Sequence, residues 1–118
     1  MLKPNLKNIK NLEYLEFIGL SLKEDPTAHN FLKICNNLAT LKLKESSLHN
    51  NWYAQIKQMS SLKNLDLSGV SVSATAVKEI CRSCKVLETL KITPSQNMTS
   101  KELQNIYEIF SKISKDVI

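Results

Sequence analysis

The chain has 118 residues, enough for one domain with a single modest core, and its 42 % hydrophobic and 23 % charged residues match a folded protein and not a disordered tail. No run of about eighteen apolar residues exists to cross a membrane, and Met1–Asn5 leads into no apolar segment; with an odd three cysteines, the expected compartment is the cytoplasm or the nucleus. The net charge of +5 rests on lysines scattered from Lys3 to Lys115 with a single arginine, Arg82; a nucleic-acid surface would cluster its charge and use arginine forks, so nucleic acid is not the expected partner.

Four segments repeat one pattern, L-x-x-L-x-Φ with Φ apolar, beginning at Leu12, Leu38, Leu62 and Leu87, at spacings of 26, 24 and 25 residues. Taken along the chain, Leu12–Phe17 alternates with period two and predicts a strand with Tyr14, Glu16 and Ile18 turned outward. Asp25-Pro26 then supplies an N-cap and a first-turn proline for a helix carrying Phe31, Leu32 and Cys35. The second strand turns out Thr40, Lys42 and Lys44, and Asn50 or Asn51 is expected to cap a helix with Trp52, Ile56 and Met59. The third turns out Asn64, Asp66 and Ser68, followed by Ser73 as cap for Val77, Ile80, Cys81 and Cys84. The fourth turns out Thr89, Lys91 and Thr93, and Thr99 with Glu102 forms a capping box ahead of Leu103, Ile106, Tyr107, Phe110 and Ile113.

Each unit is thus a strand followed by a helix, and no unit can hide its apolar side alone. The expectation is one domain over residues 1–118, of units near 6–33, 34–58, 59–83 and 84–118, with Leu6 and Ile9 resembling the end of a preceding helix. Parallel strands lie about 4.8 Å apart, whereas packed helices need about 8–10 Å. The predicted fold is therefore an α/β repeat solenoid, a short right-handed arc with parallel strands on the concave face and helices on the convex face.

No residue set here points to catalysis. Cys81-Arg82-Ser83-Cys84 is a C-x-x-C without a second pair of ligands, so buried packing is expected for both thiols, as for Cys35. His29 and His49 have no carboxylate or cysteine at a useful spacing. Gly19 and Gly69 are too far apart for a phosphate loop, and Asn97-Met98-Thr99 reads as a loop into the last helix. No catalytic or metal residues, no cofactor and no small-molecule substrate are expected.

The outward strand positions remain as a protein-binding surface. Their middle row, Glu16, Lys42, Asp66 and Lys91, alternates in sign, so it can pair with itself sideways as a register-setting ladder or read a partner. Tyr14 and Ile18 are an aromatic and an aliphatic residue at solvent-facing positions, which suggests a contact. The inner face offers about 300–500 Å² against about 800 Å² per partner in a standard interface. A partner is therefore expected to dock also against the first or last strand edge.

The residues Cys35-Asn36-Asn37-Leu38 and Cys84-Lys85-Val86-Leu87, with Met59 and Ile9 in the same slot, resemble the cysteine-containing class of leucine-rich repeats, whose pattern is C-x-x-L-x-x-L-x-L followed by a helix. Leu65-Asp66-Leu67-Ser68-Gly69-Val70-Ser71-Val72-Ser73 is similar to that class's L-D-L-S-G-C-x-x-I-T/S segment, with Val70 in place of cysteine. The resemblance implies a protein-interaction module like the substrate-recognition repeats of F-box ubiquitin-ligase receptors. No F-box-like segment precedes Leu12, so recognition without ligase recruitment is the expectation. The alternative is a structural or assembly subunit of a large complex.

Overall fold

The computed structural model describes residues 11–35, 37–93 and 98–113; Leu6, Ile9, Asn36 and Asn97 lie outside the described residues. The elements run β1 (Tyr14–Ile18), β2 (Ser21–Leu22), α1 (Asn30–Ile34), β3 (Thr40–Lys44), β4 (Ser47–Leu48), α2 (Asn50–Ile56), β5 (Asn64–Leu67), α3 (Ala74–Ser83), β6 (Thr89–Ile92) and α4 (Ser100–Ile113). Each helix carries the chain back to the start of the next strand, so β1, β3, β5 and β6 join side by side in one parallel sheet.

Register follows the repeat. Leu15, Leu41, Leu65 and Leu90 align across the sheet, as do Tyr14, Thr40, Asn64 and Thr89. A one-residue slip would turn every leucine to the other face, so burying that face fixes the alignment. The backbone joins units at one recurring place. The carbonyl of Glu13 accepts from the amides of Ala39 and Thr40, that of Ala39 from Lys63 and Asn64, and that of Lys63 from Glu88 and Thr89, all at 2.7–3.0 Å.

The core is one cluster between sheet and helices. Leu38, Leu62 and Leu87 enter it ahead of the strands, Leu41, Leu43, Leu65 and Leu67 from the strands, and Trp52, Ile56, Val77, Ile80, Ile106 and Phe110 from the helices. Helices pack in chain order, α1 on α2, α2 on α3 and α3 on α4. All three cysteines are free and buried, and Cys84 Sγ donates to the Ile56 carbonyl at 3.3 Å, tying two units together. Burial pushes the Cys35 thiol up, and pushes Cys81 and Cys84 up to about 11. These thiols are packing groups, not nucleophiles.

A second, shorter parallel ladder, β2 with β4, lies just beyond the sheet and was not anticipated from the pattern. The turn leading to it takes positive φ at the same repeat position each time: Gly19 at 73°, Glu45 at 52° and Gly69 at 73°. Ser46 then occupies a buried slot where the neighbouring units have Leu20 and Val70. Its hydroxyl accepts from the Leu20 amide at 3.1 Å and donates to the Lys44 carbonyl at 3.0 Å, so the polar side chain is buried with its bonds made.

Two helix starts differ from expectation. Asp25 does cap, accepting from Thr27 and Ala28, but the residues after it form i→i+3 turns and α1 begins only at Asn30. Neither Asn50 nor Asn51 caps α2. His49 does, its Nδ1 accepting from the Asn51 amide at 3.1 Å, which frees the Asn51 side chain to donate to the Pro26 carbonyl of the unit before. The other two starts follow the sequence. Ser73 Oγ accepts from the Ala76 amide, and Thr99 and Glu102 exchange reciprocal bonds at 3.0 and 3.1 Å.

Candidate functional site

With the leucines turned to the core, alternation puts the other strand residues on the opposite face of the sheet. A cavity of about 350 Å³ opens there, lined by Tyr14, Thr40, Lys42, Asn64, Leu65, Asp66, Thr89 and Lys91. This volume sits at the low end of small-molecule sites. Its walls are the first two rows of the sheet face. Ile18, Lys44, Ser68 and Thr93 continue the face beyond the cavity.

The first row is a hydrogen-bonded chain. Asn64 Nδ2 donates to Thr40 Oγ1 at 3.0 Å, and Thr89 Oγ1 donates to Asn64 Oδ1 at 2.7 Å. One asparagine between two hydroxyls thus locks β3, β5 and β6 together. The recurrence of Thr, Asn and Thr at one repeat position was the signal available for it.

The middle row does not pair sideways. Glu16 reaches diagonally to Lys44, at 3.6 Å, and accepts from the Tyr14 hydroxyl at 2.6 Å. The Tyr14 hydroxyl, with help from Lys44 and Lys42, holds the Glu16 carboxyl below the usual range. Lys42 lies instead over the Tyr14 ring, 5.4 Å from its centre, in cation–π geometry. Tyr14, then Glu16 and Asp66, hold its ammonium above the usual lysine range. The physical reason is local: a tyrosine at the start of β1 offers both a ring and a hydroxyl, and these capture the two charges that would otherwise have met.

Asp66 departs further from expectation. Placed among the outward residues, it is only 5 % exposed. It folds back along its own strand to accept from the Ser68 amide at 2.9 Å and from the Ser68 hydroxyl. Burial pushes its carboxyl up, but the Ser68 bonds, Lys44 and Lys91 outweigh this and leave it below the usual range. It is the floor of the face, with an anchoring role.

Tyr14 and Ile18 are the most open large apolar residues of the sheet, 52 % and 64 % exposed. Both lie on β1, which among the described residues pairs with β3 alone. Behind them Leu12, Leu15, Phe17, Leu22, Phe31 and Ile34 are only half-buried. Among the described residues the first unit therefore shows apolar surface on the sheet face, and its inward side chains are less covered than those of the later units.

Among the described residues no cluster of His, Cys, Asp and Glu could hold a metal ion, and no helix is long and apolar enough to cross a membrane. His29 is half-buried beside α2 with no partner for Nδ1 among the described residues, and His49 serves as a cap. The family model described as FBD-associated F-box protein At5g56370, LRR repeats, matches residues 4–117. Comparison with curated proteins and with solved structures gave no match.

Proposed function

The chain belongs to the leucine-rich-repeat family associated with F-box proteins, and from that premise we propose that it is a short right-handed solenoid whose concave sheet face holds a protein partner. Repeats of this family are in general interaction modules without catalysis, and no enzymatic role is proposed. The observation that carries the reading is the exposure of Tyr14 and Ile18 on a sheet face otherwise made of polar side chains. An aromatic and an aliphatic residue left in water on a strand cost solvation there and regain it on contact.

The finer role is substrate recognition for an F-box-type ubiquitin ligase, in the cytoplasm or the nucleus. The face supplies less area than a stable complex needs. The half-buried apolar residues of the first unit extend it, so one partner would cover both the face and the β1 edge. Affinity purification with the chain as bait tests this. Tyr14→Ala and Ile18→Asp are expected to lose a defined partner while Lys101→Ala, an exposed change on α4, retains it. Unchanged recovery with both strand variants, shown folded by their melting curves, contradicts the reading.

A second reading is a structural subunit of a larger assembly, favoured by the half-buried Leu12, Leu15 and Phe17 of the first described unit. Such a subunit is expected to be insoluble alone and soluble only with its neighbours. A monomeric, folded chain at micromolar concentration argues against it.

A further inference from the structure

The middle row of the sheet face leaves two ammonium groups that feel nearby carboxylates but, among the described residues, form no contact ion pair with one. Lys42 on β3 and Lys91 on β6 line one cavity on either side of Asp66 on β5. Among the described residues neither lies within ion-pairing distance of an acid, because Glu16 is taken by Lys44 and Asp66 turns to Ser68. Two strand spacings separate their backbones by about 10 Å, so both flexible side chains can lean over Asp66 and converge on one small anion.

Counting charge narrows the anion. Two lysines and one aspartate leave the cavity with one net positive charge. A single carboxylate neutralises it, whereas a dianionic phosphoryl group would overshoot and face Asp66 with surplus negative charge. The Thr40–Asn64–Thr89 chain gives the cavity a polar rim, and Tyr14 beside Lys42 gives it an apolar flank. Resting on the reading that this face holds a protein, we propose that the cavity takes one aspartate or glutamate side chain of the partner, its carboxylate lying between Lys42 and Lys91. The partner segment carries an apolar residue next to that acid, set against Tyr14.

Three capped glycine-rich peptides test this, each with one leucine beside a central glutamate, glutamine or phosphoserine, titrated into the isotope-labelled chain while backbone amide resonances are followed. The glutamate peptide is expected to shift the amides of Lys42, Asp66 and Lys91 saturably and to bind about fivefold more tightly than the glutamine peptide. Lys91→Met, which keeps an unbranched apolar stem at an exposed position, is expected to weaken the glutamate peptide about threefold and leave the glutamine peptide unchanged. Lys42→Met with Lys91→Met removes the difference between the two peptides.

Equal shifts by glutamate and glutamine peptides overturn the carboxylate assignment while leaving the face a protein-binding one. Tighter binding of the phosphoserine peptide overturns it in favour of a phosphoryl group. No saturable shift on this face with any peptide refutes it outright, and the partner reading then stands or falls with the Tyr14 and Ile18 variants.

Discussion

Leu65 and Leu67 of β5 are 1 % and 0 % exposed, whereas Leu15 and Phe17, at the same two positions of the first unit, are only half-buried. The local pattern is the same in both units, and both form strands. What differs is company. β5 lies between β3 and β6, while β1 among the described residues has only β3. In a stacked repeat each unit is stabilised mainly by its two neighbours, so the pattern encodes the strand but the neighbours supply the burial. Among the described residues the third unit is therefore the better covered, and the first keeps its apolar side chains partly exposed.

Truncating equivalent leucines puts that contrast to the strongest test. Leu65→Ala is expected to cost about 3–4 kcal/mol and Leu15→Ala about 1–2 kcal/mol in denaturant unfolding. Equal losses would erase the distinction between the units. The two turn glycines sharpen it next. Gly19 and Gly69 share a φ of 73°, but an added Cβ meets nothing within 4 Å at Gly19, while at Gly69 it falls 2.9 Å from Glu45 Cγ and 3.2 Å from its Cα. Gly69→Ala should therefore cost about 2–3 kcal/mol and Gly19→Ala about 1 kcal/mol, the second being the price of the left-handed backbone alone.

Two acids on the sheet face carry the contrast to smaller effects. The folded Asp66 carboxyl titrates below its unfolded value of about 3.9. Its contribution is thus complete above that pH and is lost as pH falls through the folded value. Asp66→Asn should lower stability at neutral pH by about 1–2 kcal/mol and flatten the acid limb of a stability–pH curve. Glu16→Gln, on the open strand, should leave the melting curve at neutral pH nearly unmoved. The capping pair is of similarly modest size: Ser73→Ala should cost about 1 kcal/mol, and Asp25→Ala less than that, because the turns it caps lead into the five-residue α1.

Much of this architecture was legible because the repeat is redundant. Four copies of the leucine pattern specify parallel strands in register, and Ser73, Thr99 and Glu102 mark two helix starts by their chemistry. What escaped was set by single side chains in unusual roles. His49 caps α2 through a ring nitrogen, which composition does not advertise. The β2–β4 ladder is two residues long, too short for alternation to show. The charge row departs from its alternating pattern for a related reason. Alternation tells which face a residue takes, but not that Tyr14 would draw Lys42 and Glu16 to itself, or that Ser68 would fold Asp66 down. Those outcomes depend on reach and hydrogen bonding between rows, which a one-dimensional pattern does not contain.

Native-state hydrogen exchange compares the first and third units by reading the free energy of opening strand by strand. The β5 amides bonded to a neighbouring strand should exchange only with global unfolding, and their β1 counterparts through a local opening of lower free energy and weak dependence on denaturant. Equal protection of β1 and β5, lost together in one transition, would mean that the first unit is as well held as the third, and that its apolar surface is not held in reserve for a partner.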